Sequence, residues 1–357
     1  MNTTLRPRVI FTGIQALRGI AALLVVLHHT LEELAYSIPQ NALIETVTRA
    51  GACGVDLFFV ISGFIMANST SSLVKKKTGA AATTFLKNRI VRIVPLYWIL
   101  SAFVVVLHST GFLYKTKIIT FADTMRSIFF LPTENLLIGV GWTLNYEFTF
   151  YIAFTIAILA RERIGICLAS TLILLLVFMI AHFIPSSTLA AHFGNPIIFE
   201  FSYGMIIAKM TKSTSIRRRT LMQIVMIAAT IILYSSYKEN SSSTNGLNAS
   251  YRFLVWGVPS AVIVYAFTKI SDSLGIFNSI GDSSYSLYLI HSFVMTALAL
   301  FIRLYPPIGV FSLIIYGSLA VFLSYLFSVV SLLLIEQKLD QILKTKFLNY
   351  RFHSGVG

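Results

Sequence analysis

The chain has 357 residues, 56% of them hydrophobic and only 12% charged, with a mean hydropathy of +0.78. Soluble domains carry about a quarter charged residues, so this composition excludes a water-soluble globular domain and predicts an all-α polytopic membrane protein. The net charge of +14 invites a nucleic-acid partner, but the basic residues fall between apolar runs, where membrane topology accounts for them.

Ten apolar segments are long enough to cross a bilayer, allowing for tilt and some short members. In chain order they cover roughly 14–35, 52–69, 90–110, 138–160, 164–184, 194–210, 219–237, 252–269, 283–304 and 308–335. When the intervening segments are placed on alternate sides, 20 of the 28 basic residues fall on one side and 7 on the other, leaving Arg18 within the membrane. The positive-inside rule then puts both termini in the cytoplasm. The longest outward connections run over about 36–51, 111–137 and 238–251, and none is long enough to fold separately. A single membrane domain over 1–357 is expected, with spans over roughly 14–335 and no appended soluble module. No cleavable signal peptide is expected, because the first apolar run is too long and lacks a small-residue cleavage site. Cys53 and Cys167 fall on opposite sides, and no CxxC or Cys/His spacing points to a metal.

Polar residues inside these spans are the candidates for chemistry, because each is costly in hydrocarbon. The first span reads QALRGIAALLVVLHHT over Gln15–Thr30. Arg18 and His29 are eleven positions apart, about three helical turns, and so share a face; His28 is turned roughly 80° from Arg18. Asp56 follows near the outer start of span two, where it either caps the helix or takes part in chemistry. Before span three, Arg89 and Arg92 lie three apart in KNRIVRIVPLYW, on one helical face. They are either topological anchors or a clamp for a polyanion such as a nucleotide phosphate. Glu147 is central in span four, Glu200 falls in span six, and His291 lies about eight residues into span nine. Spacing alone yields a cytoplasmic polyanion site and a transmembrane polar path, and leaves an enzyme and a proton-coupled glycan or lipid exporter both open. No internal repeat supports an inverted-repeat transporter.

Six stretches carry a family resemblance: Gln15–His29 (QALRGIAALLVVLHH), Gly51–Met66 (GACGVDLFFVISGFIM), Arg89–Trp98 (RIVRIVPLYW), Trp142–Tyr151 (WTLNYEFTFY), Glu200–Gly204 (EFSYG) and Ser284–His291 (SYSLYLIH). In this order the chain resembles acyltransferase family 3, the ten-span membrane O-acyltransferases, and in particular the branch acting on exopolysaccharide and lipopolysaccharide. The resemblance implies an O-acetyltransferase of the bacterial inner membrane that takes acetyl groups from cytoplasmic acetyl-CoA. The acceptor would be a hydroxyl of a glycan or lipid-linked saccharide, and no metal is implied. The family's arginine-x10-histidine element falls on Arg18 and His29, its Arg-x-x-Arg element on Arg89 and Arg92, and its glutamate on Glu147.

An alcohol must lose a proton as it attacks a thioester, so a base with a pKa near working pH is required. His29 is expected in that role, with Glu147 orienting its imidazole. Arg18 is expected to face the CoA arm or the developing oxyanion, and Arg89 and Arg92 to hold CoA phosphates. Asp56, Trp142 and His291 are the candidates for contact with the acceptor. The histidine would either act as base alone or carry the acyl group itself.

Overall fold

A computed structural model describes residues 11–35, 42–73, 77–110, 119–160, 165–185, 187–211, 216–239 and 249–348. Among them every regular element is a helix. Lys75 and Lys76, Arg161 and Arg163, and most of the serine-rich 238–251 connection lie outside the described residues. In chain order the helices are α1 (Thr12–Ala35), α2 (Ala42–Gly51), α3 (Cys53–Leu73), α4 (Thr78–Ser109), α5 (Phe121–Ile128), α6 (Trp142–Leu159), α7 (Ile166–Ala181) and α8 (Thr188–Phe193). They continue as α9 (Glu200–Met210), α10 (Arg218–Lys238), α11 (Ala249–Val255), α12 (Gly257–Phe267), α13 (Ile276–Asp282), α14 (Ser284–Leu304), α15 (Gly309–Ser331) and α16 (Gln337–Leu348).

Each of the ten apolar segments is helical, but among the described residues only seven helices or helix pairs are long and apolar enough to cross a membrane by themselves. The segments expected as spans four, five and six form α6, α7 and α9, of 18, 16 and 11 residues. α6 and α9 carry the motif residues and pack inside the bundle, whereas α7 is apolar but short, with one face exposed. Two expected connections also contain helix. The 36–51 stretch holds α2, which runs into α3 through a single turn at Ala52. The 111–137 stretch holds α5, started by a reciprocal capping box between Thr120 and Asp123. The last span continues through a π turn (Leu332–Glu336) into α16, which packs on α4.

The tightest helix pair is α3 with α9, and sequence explains it. A Cβ on Gly63 would overlap the carbonyl oxygen of Phe201, and one on Gly204 would overlap that of Val60. The glycines of ISGF and EFSYG therefore let two backbones touch, the small-residue device of helix packing in membranes. Gly19 and Gly281 do the same for α1 and α13. Around these contacts the core is aromatic: Phe201 stacks on Phe150 (4.4 Å, 15°) and lies 4.8 Å from Phe59. α1, α3, α4, α6 and α14 are thereby held around a common polar interior, and the outward faces of α10 and α15 remain apolar and exposed.

Candidate active site

Those five helices supply the walls of a cavity of about 110 Å³. Arg18 enters it from α1, Arg89 and Arg92 from the half of α4 that precedes Pro95, and Glu147 from α6. All four are partly buried. Ser62 donates to Glu147 Oε1 at 3.2 Å, and the Tyr151 hydroxyl donates to the same oxygen. Arg18 Nη1 donates to Gln15 Oε1 at 3.2 Å, and Gln15 Nε2 donates to Asp282 Oδ1 at 2.7 Å, so α13 anchors the arginine through a relay. The Arg89 guanidinium lies 5.8 Å from the Phe85 ring centre, and its buried Nε has no hydrogen-bond partner among the described residues. Glu336, in the π turn, accepts from Ser286 at 2.8 Å and interacts with Arg18 and Arg92. Three guanidinium groups against one lining carboxylate make the cavity a receptor for a multiply charged anion.

His29 does not line this cavity. Its Nδ1 lies 3.1 Å from Glu32 Oε2, its ring stacks on His291 (5.3 Å, 23°), and the His28 ring lies 4.7 Å away, tilted by 57°. His28 Nδ1 donates to the Thr48 carbonyl at 2.6 Å, and His291 Nδ1 donates to the Leu287 carbonyl at 3.1 Å. A carboxylate or carbonyl only accepts, so each of the three imidazoles carries a proton on Nδ1, and in the neutral ring the lone pair is then on Nε2. Between this cluster and the cavity stands Tyr288. It lines the cavity, lies 5.8 Å from the His291 ring, donates to the Val140 carbonyl at 3.1 Å and is 2.8 Å from Thr143 Oγ1. Arg18 and His29 thus share a helix, about 16 Å apart at 1.5 Å per residue, but only Arg18 opens into the cavity.

These contacts bear on two sequence expectations. Glu147 was expected beside His29; its hydrogen bonds go to Ser62 and Tyr151, in the arginine cavity, and the carboxylate bonded to His29 is Glu32. Asp56 was expected near the start of the second span, either capping it or taking part in chemistry, and it does lie in the first turn of α3. It is fully enclosed, and both its oxygens accept from Arg252, at 3.1 and 2.7 Å. Arg252 is accordingly an internal cation, not one of the outward loop charges. The same enclosed group contains Glu200, which lies beside Asp56. Trp142 packs edge-on against Tyr146 and Phe59 outside the cavity lining, and His291 is fully buried.

Sequence reasoning passed over Glu32, Arg252, Tyr288 and Glu336. Glu32 was visible in LHHTLEEL, three residues after His29 and hence on its face. The other three depend on which helices become neighbours. His28, His29 and Glu32 also bring potential metal-ligand atoms within 4.8 Å of one another, although both imidazoles already have Nδ1 partners. Cys53 and Cys167 are free thiols.

A family model described as an acyltransferase domain, that of acyltransferase family 3, matches residues 11–332. The exopolysaccharide production protein ExoZ of Rhizobium meliloti (strain 1021) is 27% identical over 291 residues, covering 77% of this chain and 87% of that protein. No solved structure matches.

Proposed function

The chain belongs to acyltransferase family 3, and from that membership we propose that it moves an acetyl group from cytoplasmic acetyl-CoA to a sugar hydroxyl of an exported glycan. The acceptor is an exopolysaccharide or its lipid-linked precursor, in keeping with the name of the Rhizobium relative. The protein works in the bacterial inner membrane with ten spans and both termini inside. The observation that carries this reading is the convergence of Arg18, Arg89 and Arg92 in one cavity. These side chains suit the phosphates of a nucleotide thioester, and the same first helix continues outward to His29.

In the proposed reaction the sugar hydroxyl gives its proton to His29 Nε2 as its oxygen attacks the thioester carbonyl. The C–O bond forms, the C–S bond breaks, and the proton passes from the imidazolium to the departing thiolate, leaving an ester and free CoA. Arg89 and Arg92 hold the donor phosphates. Arg18, deeper along α1, stabilises charge on the donor arm. Glu147 keeps the arginines ordered without neutralising all three. The pantetheine arm carries the thioester toward His29 past Tyr288.

The test uses purified full-length protein, labelled acetyl-CoA and isolated glycan. Wild type is expected to label the glycan and release CoA, whereas His29→Ala, still monodisperse in detergent, is expected to do neither. Unchanged labelling by the variant would overturn the role of His29, and absence of both products with wild type would overturn the enzyme reading.

A further inference from the structure

We infer that Glu32 is the positioning residue of His29: it holds the imidazole by Nδ1, turns Nε2 toward the acceptor and stabilises the imidazolium once the proton has arrived. This deepens the proposed function and rests on His29 being the base. It assigns to Glu32 the part expected of Glu147, and leaves Glu147 to the donor.

Three observations converge on it. First, the bond is formed: His29 Nδ1 and Glu32 Oε2 are 3.1 Å apart. The two residues are one helical turn apart, so α1 itself sets their geometry and no loop movement is required. Second, the ring is held by two neighbours, one stacked on its face and one tilted against it. His291 stacks on it at 5.3 Å and 23°, and His28 lies at 4.7 Å; each is itself tied through Nδ1 to a backbone carbonyl. With ring plane and Nδ1 both held, Nε2 is the nitrogen left for a substrate proton. Third, the pair is reachable. The side chains of His29 and Glu32 are 32% and 22% exposed, whereas His28 and His291 are buried. Among the three imidazoles His29 alone combines a carboxylate partner with access from outside the bundle.

An i,i+3 His–Glu contact on an ordinary helix surface would be worth little. This one lies in an apolar membrane helix, where a carboxylate is costly unless it has work to do. In low-dielectric surroundings a negative group at Nδ1 favours the protonated imidazole that forms during transfer. Glu147 lacks the second feature, a contact with the imidazole, since its Oε1 takes both Ser62 and Tyr151 in the company of the cavity arginines.

The experiment compares Glu32→Ala, Glu32→Gln, Glu147→Gln and His29→Ala in the full-length protein, with kcat and KM measured for acetyl-CoA. Gln keeps a hydrogen-bond acceptor on Nδ1 and removes only the charge. Glu32→Ala is expected to lower kcat about 10²-fold or more, with donor KM within about twofold of wild type, and Glu32→Gln to recover part of that loss. Glu147→Gln is expected to raise donor KM instead. A purely structural role for Glu32 would not sort hydrogen-bonding and charge effects in this way. The assignment to Glu32 is overturned if His29→Ala is inactive while Glu32→Ala keeps kcat within about threefold, or if Glu147→Gln alone shows the kcat signature. Full activity in His29→Ala overturns the underlying reading of the base.

Discussion

Arg252→Met measures how much of the bundle depends on one enclosed ion pair. Arg252 donates to both oxygens of Asp56 and to the Ala52 carbonyl at 3.1 Å, and its guanidinium covers Trp256 at 4.8 Å. Asp56 has no exposed surface, and Glu200, equally enclosed, lies directly against it. Removing the cation strands a carboxylate and leaves a second one beside it. Breaking a buried pair in this way costs about 3–5 kcal/mol. At about 2 °C per kcal/mol, the lower end of the scale for soluble domains, the melting point should fall by about 6–10 °C. Replacing both partners, in Asp56→Asn/Arg252→Met, removes both charges and should restore more than half of that loss. Cys53 makes a built-in reporter, since it is buried next to Asp56 and reacts with a thiol dye only on unfolding. A Cys167→Ser background removes the partly exposed second thiol. A melting point within about 2 °C of the parent for Arg252→Met, or a double variant no more stable than the single one, would refute the reasoning. Equal KM for the glycan in parent and double variant would further separate Asp56 from acceptor binding.

Two more consequences concern the donor side and the α5 connection. Arg89→Ala/Arg92→Ala should raise the Kd for CoA at least tenfold in calorimetry on detergent-solubilised protein, because each guanidinium–phosphate bond is charge-assisted and worth about 1.5–3 kcal/mol; unchanged affinity would make these arginines anchors only. In the connection, Thr133 and Thr120 hold the Asp123 carboxyl down to about 2, below its unfolded value of about 4. The folded state therefore binds that proton more weakly, and the stabilisation is complete above pH about 4 and lost as pH falls toward 2. Amide exchange of residues 121–138 should accelerate over that interval, and Asp123→Asn should abolish the pH dependence.

How far the sequence reveals this molecule depends on the range of each interaction. Helices are local: their apolar runs, the glycines of ISGF and EFSYG, and the Arg18–His29 register are legible because spacing along one helix fixes which residues share a face. Arg18, Arg89, Arg92 and Glu147 were each singled out from motifs on three helices, but Glu147 was expected beside His29 and not among the arginines. Which carboxylate meets which cation depends on crossing angles and depth, and these follow from side-chain packing and not from spacing. Hence Glu147 was paired with the wrong partner, and Arg252 was counted as a loop charge although Asp56 lies 196 residues away in sequence. Glu32 is the instructive exception. Its contact with His29 is local and could have been read from LHHTLEEL, but a more distant carboxylate in a stronger motif drew the assignment.

The separation of Arg18 and His29 along α1 bears on how the proposed transfer is organised. A base placed in the arginine cavity would meet water from the cytoplasm together with acetyl-CoA, and hydrolysis would compete with transfer. Holding His29 three turns farther out, behind Tyr288 and its contacts with Thr143 and Val140, keeps the base from the donor until the thioester has reached it. Arg18 then has a reason to share the helix: any shift of α1 that carries His29 toward the acceptor also moves the arginine against the donor arm. On this proposal the eleven-residue register of Arg18 and His29 is a mechanical coupling, and inserting one residue between Ala22 and Val25 should uncouple the two. Such an insertion rotates His29 by about 100° relative to Arg18, so CoA binding should persist while glycan acylation is lost; retained acylation would show that the register carries no coupling.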